Sequence, residues 1–281
     1  MIKKILLWVL ALVIMIGARV YQKMTGPTYP KKANITLHDK NYKLKLLRSH
    51  GGEDDATITL NIDDENVDGK LFYKNYPPKE GENWIEKNFD REKKDDENIM
   101  TASLPHQAPA GKLLYYIDII EDGKTQSLFK EDPIVIRFKG GVPEYILFPH
   151  IFFMFFAMLL ANLTGLFAIF KIPNLKTYTL ITLILMTIGG MILGPIVQKF
   201  AFLEYWAGVP FGWDLTDNKL LIGFIAWLVA YFMNRKKENR ISVIFAAFVT
   251  LIIFSIPHSM FGSELNRETG NVIQGFIQLY F

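Results

Sequence analysis

Cysteine is absent from the chain. That excludes disulfides, thiolate metal centres, cysteine nucleophiles and c-type haem attachment. It says nothing of the compartment, because an oxidising environment permits disulfides without requiring them. Charge of one sign is scarce too: 31 basic against 28 acidic residues leave a net +3 over 281 residues. No basic block with interleaved aromatics exists, so nucleic acid is excluded as a partner class. A glycine-rich phosphate loop, a Gly-x-Ser-x-Gly elbow and a His-Glu-x-x-His helix are missing, as are an arginine-rich voltage-sensor pattern and a selectivity filter. These absences argue against a soluble kinase, nucleotide hydrolase or zinc protease. A membrane enzyme with an unfamiliar site stays open.

What is present is unevenly spread. Half of the residues are hydrophobic, but most charges precede Lys139, and residues 145–281 are dominated by Leu, Ile, Phe, Met and Ala. A soluble half joined to a membrane half is the direct reading. Met1-Ile2-Lys3-Lys4 precedes an apolar run over 5–17, a basic region followed by a hydrophobic stretch. Ile16 stands where signal cleavage wants a small residue, so residues 1–21 read as an uncleaved anchor, with a cleaved signal peptide as the alternative. The run reaches spanning length only if 18–21 extend it and Arg19 snorkels to the interface. Four further apolar segments, 145–170, 178–197, 220–233 and 241–256, read as transmembrane helices, because non-helical backbone facing lipid leaves costly unpaired groups.

The flanking charges predict one orientation. Lys3 and Lys4 place the N-terminus in the cytoplasm. The intervening domain is then outside, Lys171 and Lys176 are inside, 198–219 is outside, and Arg235, Lys236, Lys237 and Arg240 are inside again. Residues 259–281 end outside. The expected location is a plasma membrane of bacterial inner-membrane type.

Between anchor and bundle lies a domain over 22–141, in which residues 33–138 alternate with period two. Ile58, Leu60 and Ile62 interleave with Thr57, Thr59 and Asn61, and Tyr42, Leu44 and Leu46 with Lys43 and Lys45, as in strands with one buried face. Further strands are expected over 70–74, 98–104, 112–120, 125–129 and 133–138, separated by Gly51-Gly52, 63–66, Pro77-Pro78, Asp122-Gly123 and Asp132-Pro133. Seven or eight short strands in about a hundred residues suit a β-sandwich of immunoglobulin-like or fibronectin-like architecture. The charge run 89–97 (FDREKKDDE) reads as a solvated hairpin tip. Calcium binding by Asp95, Asp96 and Glu97 is the alternative, without the regular Asp spacing of a dedicated loop. His38, His50 and His106 read as structural residues at strand ends and turns. Gly140-Gly141-Val142-Pro143 leads into the third part, a four-helix transmembrane domain over 142–281.

The expected topology gathers ionisable residues at the outer ends of these helices, where their placement near a bilayer makes them functional candidates. His150 follows Pro149, which suits the first turn of a helix. His258 follows Pro257, where the last helix should end. The segment 198–219 adds Lys199, Glu204, Asp214, Asp217 and Asn218 among Trp206, Phe211 and Trp213. Ser259, Ser263 and Glu264 follow His258. The candidate site is therefore His150, His258, Asp214, Asp217, Glu264, Lys199 and Trp213. The two histidines suit axial haem ligation or part of a metal site, or act as bases beside Glu264 or Asp214; equally, they cap or bond neighbours, with the tryptophans forming an interfacial belt. The expected arrangement has Asp214 and Asp217 turned towards the bundle, at least one within direct or water-bridged reach of a histidine. Thr187, Gly189, Gly190 and Gly194 give one helix a small-residue face for close packing or for unwinding around a substrate.

The function these features favour is a binding or accessory subunit of a membrane or envelope complex, in contact with the lipid bilayer and with a protein partner through the β-sandwich or the bundle. A membrane redox or catalytic protein with haem or metal on His150 and His258 is the alternative. A small transporter is the third reading.

Overall fold

A computed structural model describes residues 2–94, 97–258, 264–270 and 272–273, which divide into two units. The first holds residues 1–27, 142–263 and 273–281, and the second 28–141 and 264–272. Asp95, Asp96, Ser259 and Ser263 lie outside the described residues.

The first unit is helical: α1 (Ile2–Thr25), α2 (Glu144–Ile169), α3 (Leu175–Met186), α4 (Gly194–Phe202), α5 (Leu215–Met233) and α6 (Arg240–Ser255). A π-helical turn, Thr187–Leu193, joins α3 to α4 into one continuous rod. Four helices are long and apolar enough to cross a membrane, namely α1, α2, the α3–π–α4 rod and α5; α6 is apolar but shorter. The chain is on this ground a membrane protein. The anchor helix is longer at both ends than the run over 5–21 suggested, because Lys3, Lys4 and the polar residues after Tyr21 continue the helical hydrogen bonding.

Helix α2 is the centre of this unit and packs on α1, α3, the π turn and α6. Glycine sets the approach. A methyl on Gly165 would lie 2.5 Å from the Cβ of Ala247, and one on Gly189 would lie 3.0 Å from the backbone nitrogen of Met154. The small-residue face is thus used for close contact, with the π turn pressed against α2. Polar side chains within the helices are satisfied locally. Thr164, Thr179, Thr182, Thr187 and Thr250 each donate to the carbonyl four residues back, as hydroxyls in apolar helices do. Trp227, fully buried, donates its indole N–H to Thr250 Oγ1 at 2.8 Å.

The two short basic segments meet at one end of this bundle. Lys176 Nζ donates to the Arg235 carbonyl, Arg240 to the Ala168 carbonyl, and Lys3 lies over the Phe170 ring. His150, Lys219 and Pro257 belong to the opposite end. Pro149 is a full turn inside α2 rather than in its first turn, because the helix begins at Glu144, with Pro143 as its N-cap residue.

Among the described residues, 28–141 of the second unit contain eleven strands, more than the seven or eight expected: β1 (Lys31–Leu37), β2 (Lys40–Leu46), β3 (Ser49–Gly51), β4 (Ala56–Leu60), β5 (Val67–Tyr76), β6 (Ile85–Asn88), β7 (Asp90–Lys94), β8 (Glu97–Leu104), β9 (Lys112–Glu121), β10 (Lys124–Leu128) and β11 (Ile134–Lys139). They form a six-stranded sheet in the order β3-β11-β9-β5-β6, with β10 beside β11 on the same edge of β9; a three-stranded sheet β4-β8-β7; and the β1-β2 hairpin. One core joins them, including Leu37, Leu46, Ile58, Leu71, Leu104, Tyr115 and Phe138. Alternation is followed closely: Tyr42, Leu44 and Leu46 are buried while Lys43 and Lys45 are exposed. Two hairpins turn on consecutive positive-φ residues, His38-Asp39 and Asp122-Gly123, the twist that two-residue connections require.

The charge run 89–97 is not simply a hairpin tip. Asp90–Lys94 forms β7, an edge strand paired to β8. Asp90, Arg91, Glu92 and Lys93 are exposed on the open edge of the sheet, where charges discourage pairing with another chain. The strand was hidden because alternation of charged with charged residues carries no hydrophobic period.

Candidate functional site

The helical end that carries His150 is organised around the last carbonyls of α6. A helix leaves its final carbonyls without internal partners, and here Pro257 prevents a further turn. Gln22 of α1, buried, donates Nε2 to the carbonyls of Phe254 at 2.7 Å and Ile256 at 3.2 Å. Lys219 of α5, 3% exposed, donates Nζ to the carbonyls of Ile256 at 2.8 Å and Pro257 at 3.1 Å. Arg19, exposed on α1, donates to Gln22 Oε1. Two helices thus close a third with one amide and one ammonium.

His150 belongs to the same end. Its Nδ1 lies 2.8 Å from the Gly189 carbonyl, in the π turn. A carbonyl only accepts, so Nδ1 carries a proton and Nε2 is left as the free ring nitrogen of the neutral form. π turns often mark functional positions in apolar helices, and here the turn supplies a carbonyl to the histidine. Protonation of His258 is disfavoured first by desolvation among its neighbours and then by the charges of Lys219, Arg19 and His150.

The acids of the candidate set turn inward. The segment proposed as a loop over 198–219 is shorter than that, because Gln198 and Lys199 lie in α4 and Asp217, Asn218 and Lys219 in the first turns of α5. Asp214 is the N-cap of α5: its Oδ1 accepts from the backbone N–H of Thr216 at 2.8 Å and of Asp217 at 3.2 Å. Asp217 Oδ2 accepts from Ala207 N at 2.6 Å and from Gln198 Nε2 at 3.0 Å, which fastens the loop 203–214 to both flanking helices. Among the described residues neither acid is hydrogen-bonded to a histidine. Glu204, in the loop, has its carboxyl pushed up by burial and by Asp214, with Lys199 opposing.

Lys199 donates to the Leu203 carbonyl at 2.8 Å and closes α4, lying over the Tyr205 ring. Trp213 is 73% exposed and Phe211 80%. Glu264 is part of the β unit, where its carboxylate pairs with Lys112 Nζ at 2.9 Å. The structure therefore gathers His150, His258 and Lys219 at the α6 terminus and commits Asp214, Asp217 and Lys199 to backbone positions of the adjoining loop.

The residue set fits a metal poorly. Among the described residues no group of three histidine, aspartate or glutamate side chains can hold an ion, and two fixed cations adjoin His258, where a metal ion would meet repulsion. Sequence reasoning missed Gln22 and Lys219. Both were visible as polar residues in or beside apolar segments, but which carbonyls they serve depends on which helices are neighbours.

In the β unit, His38 forms a separate cluster. Its Nδ1 lies 2.5 Å from Asp64 and its Nε2 3.0 Å from Asp122, with Glu121 at 3.6 Å. Hydrogen bonds to Asp64 and then Asp122 raise its pKa to about 9. The histidine ties the β1-β2 turn to two neighbouring turns, and in doing so holds Asp64 below the usual carboxylate range.

Comparison with protein-family models, curated proteins and solved structures finds no match to this chain. The class that fold and composition define is a helical membrane protein with a separate β-sheet unit.

Proposed function

We propose that the chain is a polytopic plasma-membrane protein of bacterial inner-membrane type, with an immunoglobulin-like β-sandwich outside, that serves as a binding or accessory subunit of a membrane or envelope complex. The observation that carries this reading is the loop 203–214. Asp214 in the loop and Asp217 just after it are spent on backbone and Gln198, while Tyr205, Phe211 and Trp213 are exposed. A loop fastened by two aspartates and presenting its aromatics outward suits contact rather than chemistry, since aromatic side chains are the usual anchors of protein interfaces. Neither histidine is hydrogen-bonded to a hydroxyl among the described residues, so no activated nucleophile favours a catalytic reading. The redox alternative on His150 and His258 is weakened by the cations beside His258.

The orientation follows from charge. The basic segments around Lys171–Lys176 and Arg235–Arg240 share one end of the bundle, which is assigned to the cytoplasm. An epitope placed after Lys237 should be protected in intact cells and one at Gly81 accessible; the reverse overturns the orientation. The binding role is tested by a photo-crosslinking residue at Phe211 or Trp213 of the full chain in native membranes. A discrete protein adduct at both positions is expected, and adducts to lipid alone would refute the accessory reading in favour of an interfacial anchor.

A further inference from the structure

The β1-β2 hairpin concentrates positive charge. Residues 31–46 hold five lysines against one acid, Asp39, in a sequence whose net charge is only +3. The lysines divide into two groups. Lys31 pairs with Asp132, and Lys40 with Asp63. Lys32, Lys43 and Lys45 are exposed, and among the described residues no carboxylate lies within ion-pair distance of them.

The register brings these three together. Alternation turns Tyr42, Leu44 and Leu46 to the core and Lys43 and Lys45 outward. In the antiparallel pairing Lys32 stands directly opposite Lys45, and Asn34 opposite Lys43. Thr36 opposite Asn41 completes the outer face. Like charges directly opposite one another destabilise a hairpin, and no acid on this face offsets the repulsion. The Lys32 ammonium lies 5.4 Å over the Tyr29 ring. A face of three lysines, two asparagines and a threonine offers no apolar anchor to a protein partner. Its charge complements an anionic surface.

The covalent chain supplies such a surface. Only residues 26–30 separate α1 from β1, and only 140–143 separate β11 from α2. Five residues span at most about 20 Å. The bilayer that holds α1 is therefore present at high effective concentration. Each lysine brought to an anionic lipid surface raises the docked population about fivefold.

We propose that the outer face of the β1-β2 hairpin docks, through Lys32, Lys43 and Lys45, on the anionic phospholipid headgroups of the membrane that holds the helices. The Asn34 amide and the Thr36 hydroxyl supply neutral donors for phosphate oxygens on the same face. The contact requires no particular side of the membrane. It stands apart from the accessory role, since it does not involve the loop 203–214.

Because the chain has no cysteine, one introduced thiol is a unique probe. Asn34→Cys places it on the lysine face, and Asn83→Cys, at an exposed position ahead of β6, is the reference. The full chain is reconstituted in nanodiscs of phosphatidylcholine, alone or mixed with phosphatidylglycerol. The rate of labelling by an uncharged, water-soluble maleimide is then measured. Phosphatidylglycerol should slow labelling of Asn34→Cys about tenfold and leave Asn83→Cys unchanged. Lys32→Gln, Lys43→Gln and Lys45→Gln together should abolish the slowing, and so should molar salt. Arginine at the same three positions should keep it. The three glutamines relieve the Lys32–Lys45 repulsion, so that variant should be at least as stable as its parent, which separates docking from a role in folding. If it does not fold, the salt and arginine results decide. Equal rates in the two lipids, slowing that survives the glutamines or molar salt, or loss of slowing with arginine would overturn the proposal. Equal slowing at Asn83→Cys would reveal a general effect of lipid charge and overturn it too. Slowing by polygalacturonate in phosphatidylcholine discs, with none from phosphatidylglycerol, would assign the face to a soluble polyanion and overturn it as well.

Discussion

Replacing Gly165 by alanine would put a methyl group 2.5 Å from the Cβ of Ala247, at the crossing of α2 and α6. Two methyl carbons rest about 3.5–4 Å apart, so the helices must separate by roughly 1 Å or shift along one another. Overpacking of this kind costs about 1–3 kcal/mol. Alanine returns about 1 kcal/mol through its better helix propensity, and the net loss for Gly165→Ala is about 0–2 kcal/mol. The reciprocal change, Ala247→Gly, should also destabilise by about 1–2 kcal/mol, through lost packing and the glycine penalty. Combined, the two exchange the methyl from one helix to the other, and the double variant should be about 1–2 kcal/mol more stable than the sum of the singles. Unfolding of the full chain in detergent by SDS titration, followed by tryptophan fluorescence, measures all three. Gly17→Ala in α1 serves as the control: no neighbouring atom lies within 4 Å of the added methyl, so the change should be neutral or stabilising by up to about 1 kcal/mol. If the double variant equals the sum of the singles to within about 0.5 kcal/mol, the two helices do not meet at these residues and the packing described for α2 is wrong.

Three other outcomes follow from particular contacts. Asp214→Ala removes the cap of α5 and should lower stability by about 1–2 kcal/mol, while Asp214→Asn, which keeps the acceptor, should lose much less; equal losses would refute the capping role. The His38 ring should titrate near 9 by NMR. Because its folded pKa is raised above the ordinary 6.5, its contribution to the β unit is fully present below pH 6.5 and disappears as pH rises through about 9. His38→Gln should remove that part of the pH dependence, and a titration near 6.5 in the unaltered protein would exclude the bonds to Asp64 and Asp122. Trp227→Phe and Thr250→Val break one buried hydrogen bond from either side, and a double-mutant cycle should give a coupling of about 0.5–1.5 kcal/mol, the range for polar pairs between apolar helices; no coupling would separate α5 from α6 at this level.

Local pattern carried much of the fold. The apolar runs marked the helices to within a few residues, since helix is the form that satisfies backbone in lipid. Period-two alternation marked β2, β4 and β5, because one face of each is buried, and apolar stretches between turn residues marked β8, β9 and β11, with β10 found from its flanking turns. It could not show β7, whose residues are all charged, nor the short β3, whose partner β11 lies far along the chain. The π turn was equally hidden: Gly189-Gly190 advertised a thin helix face, not the widened turn that offers a carbonyl to His150.

The candidate site divides in the same way. Sequence alone determined which residues sit near the ends of apolar segments, and therefore that His150, His258, Asp214 and Lys199 required partners, because hydropathy and charge are properties of each residue and its near neighbours. It did not determine the partners. Asp214 or Asp217 was expected within reach of a histidine, and Asp214 is instead an N-cap, a role decided where α5 begins. Glu264 was grouped with His258 by adjacency in the chain and pairs with Lys112, 152 positions away. Gln22 and Lys219 cover the end of α6 from two other helices. Hydrogen bonds act over about 3 Å, so which donor meets which carbonyl is set by helix neighbours and their crossing, and only the tertiary structure decides that.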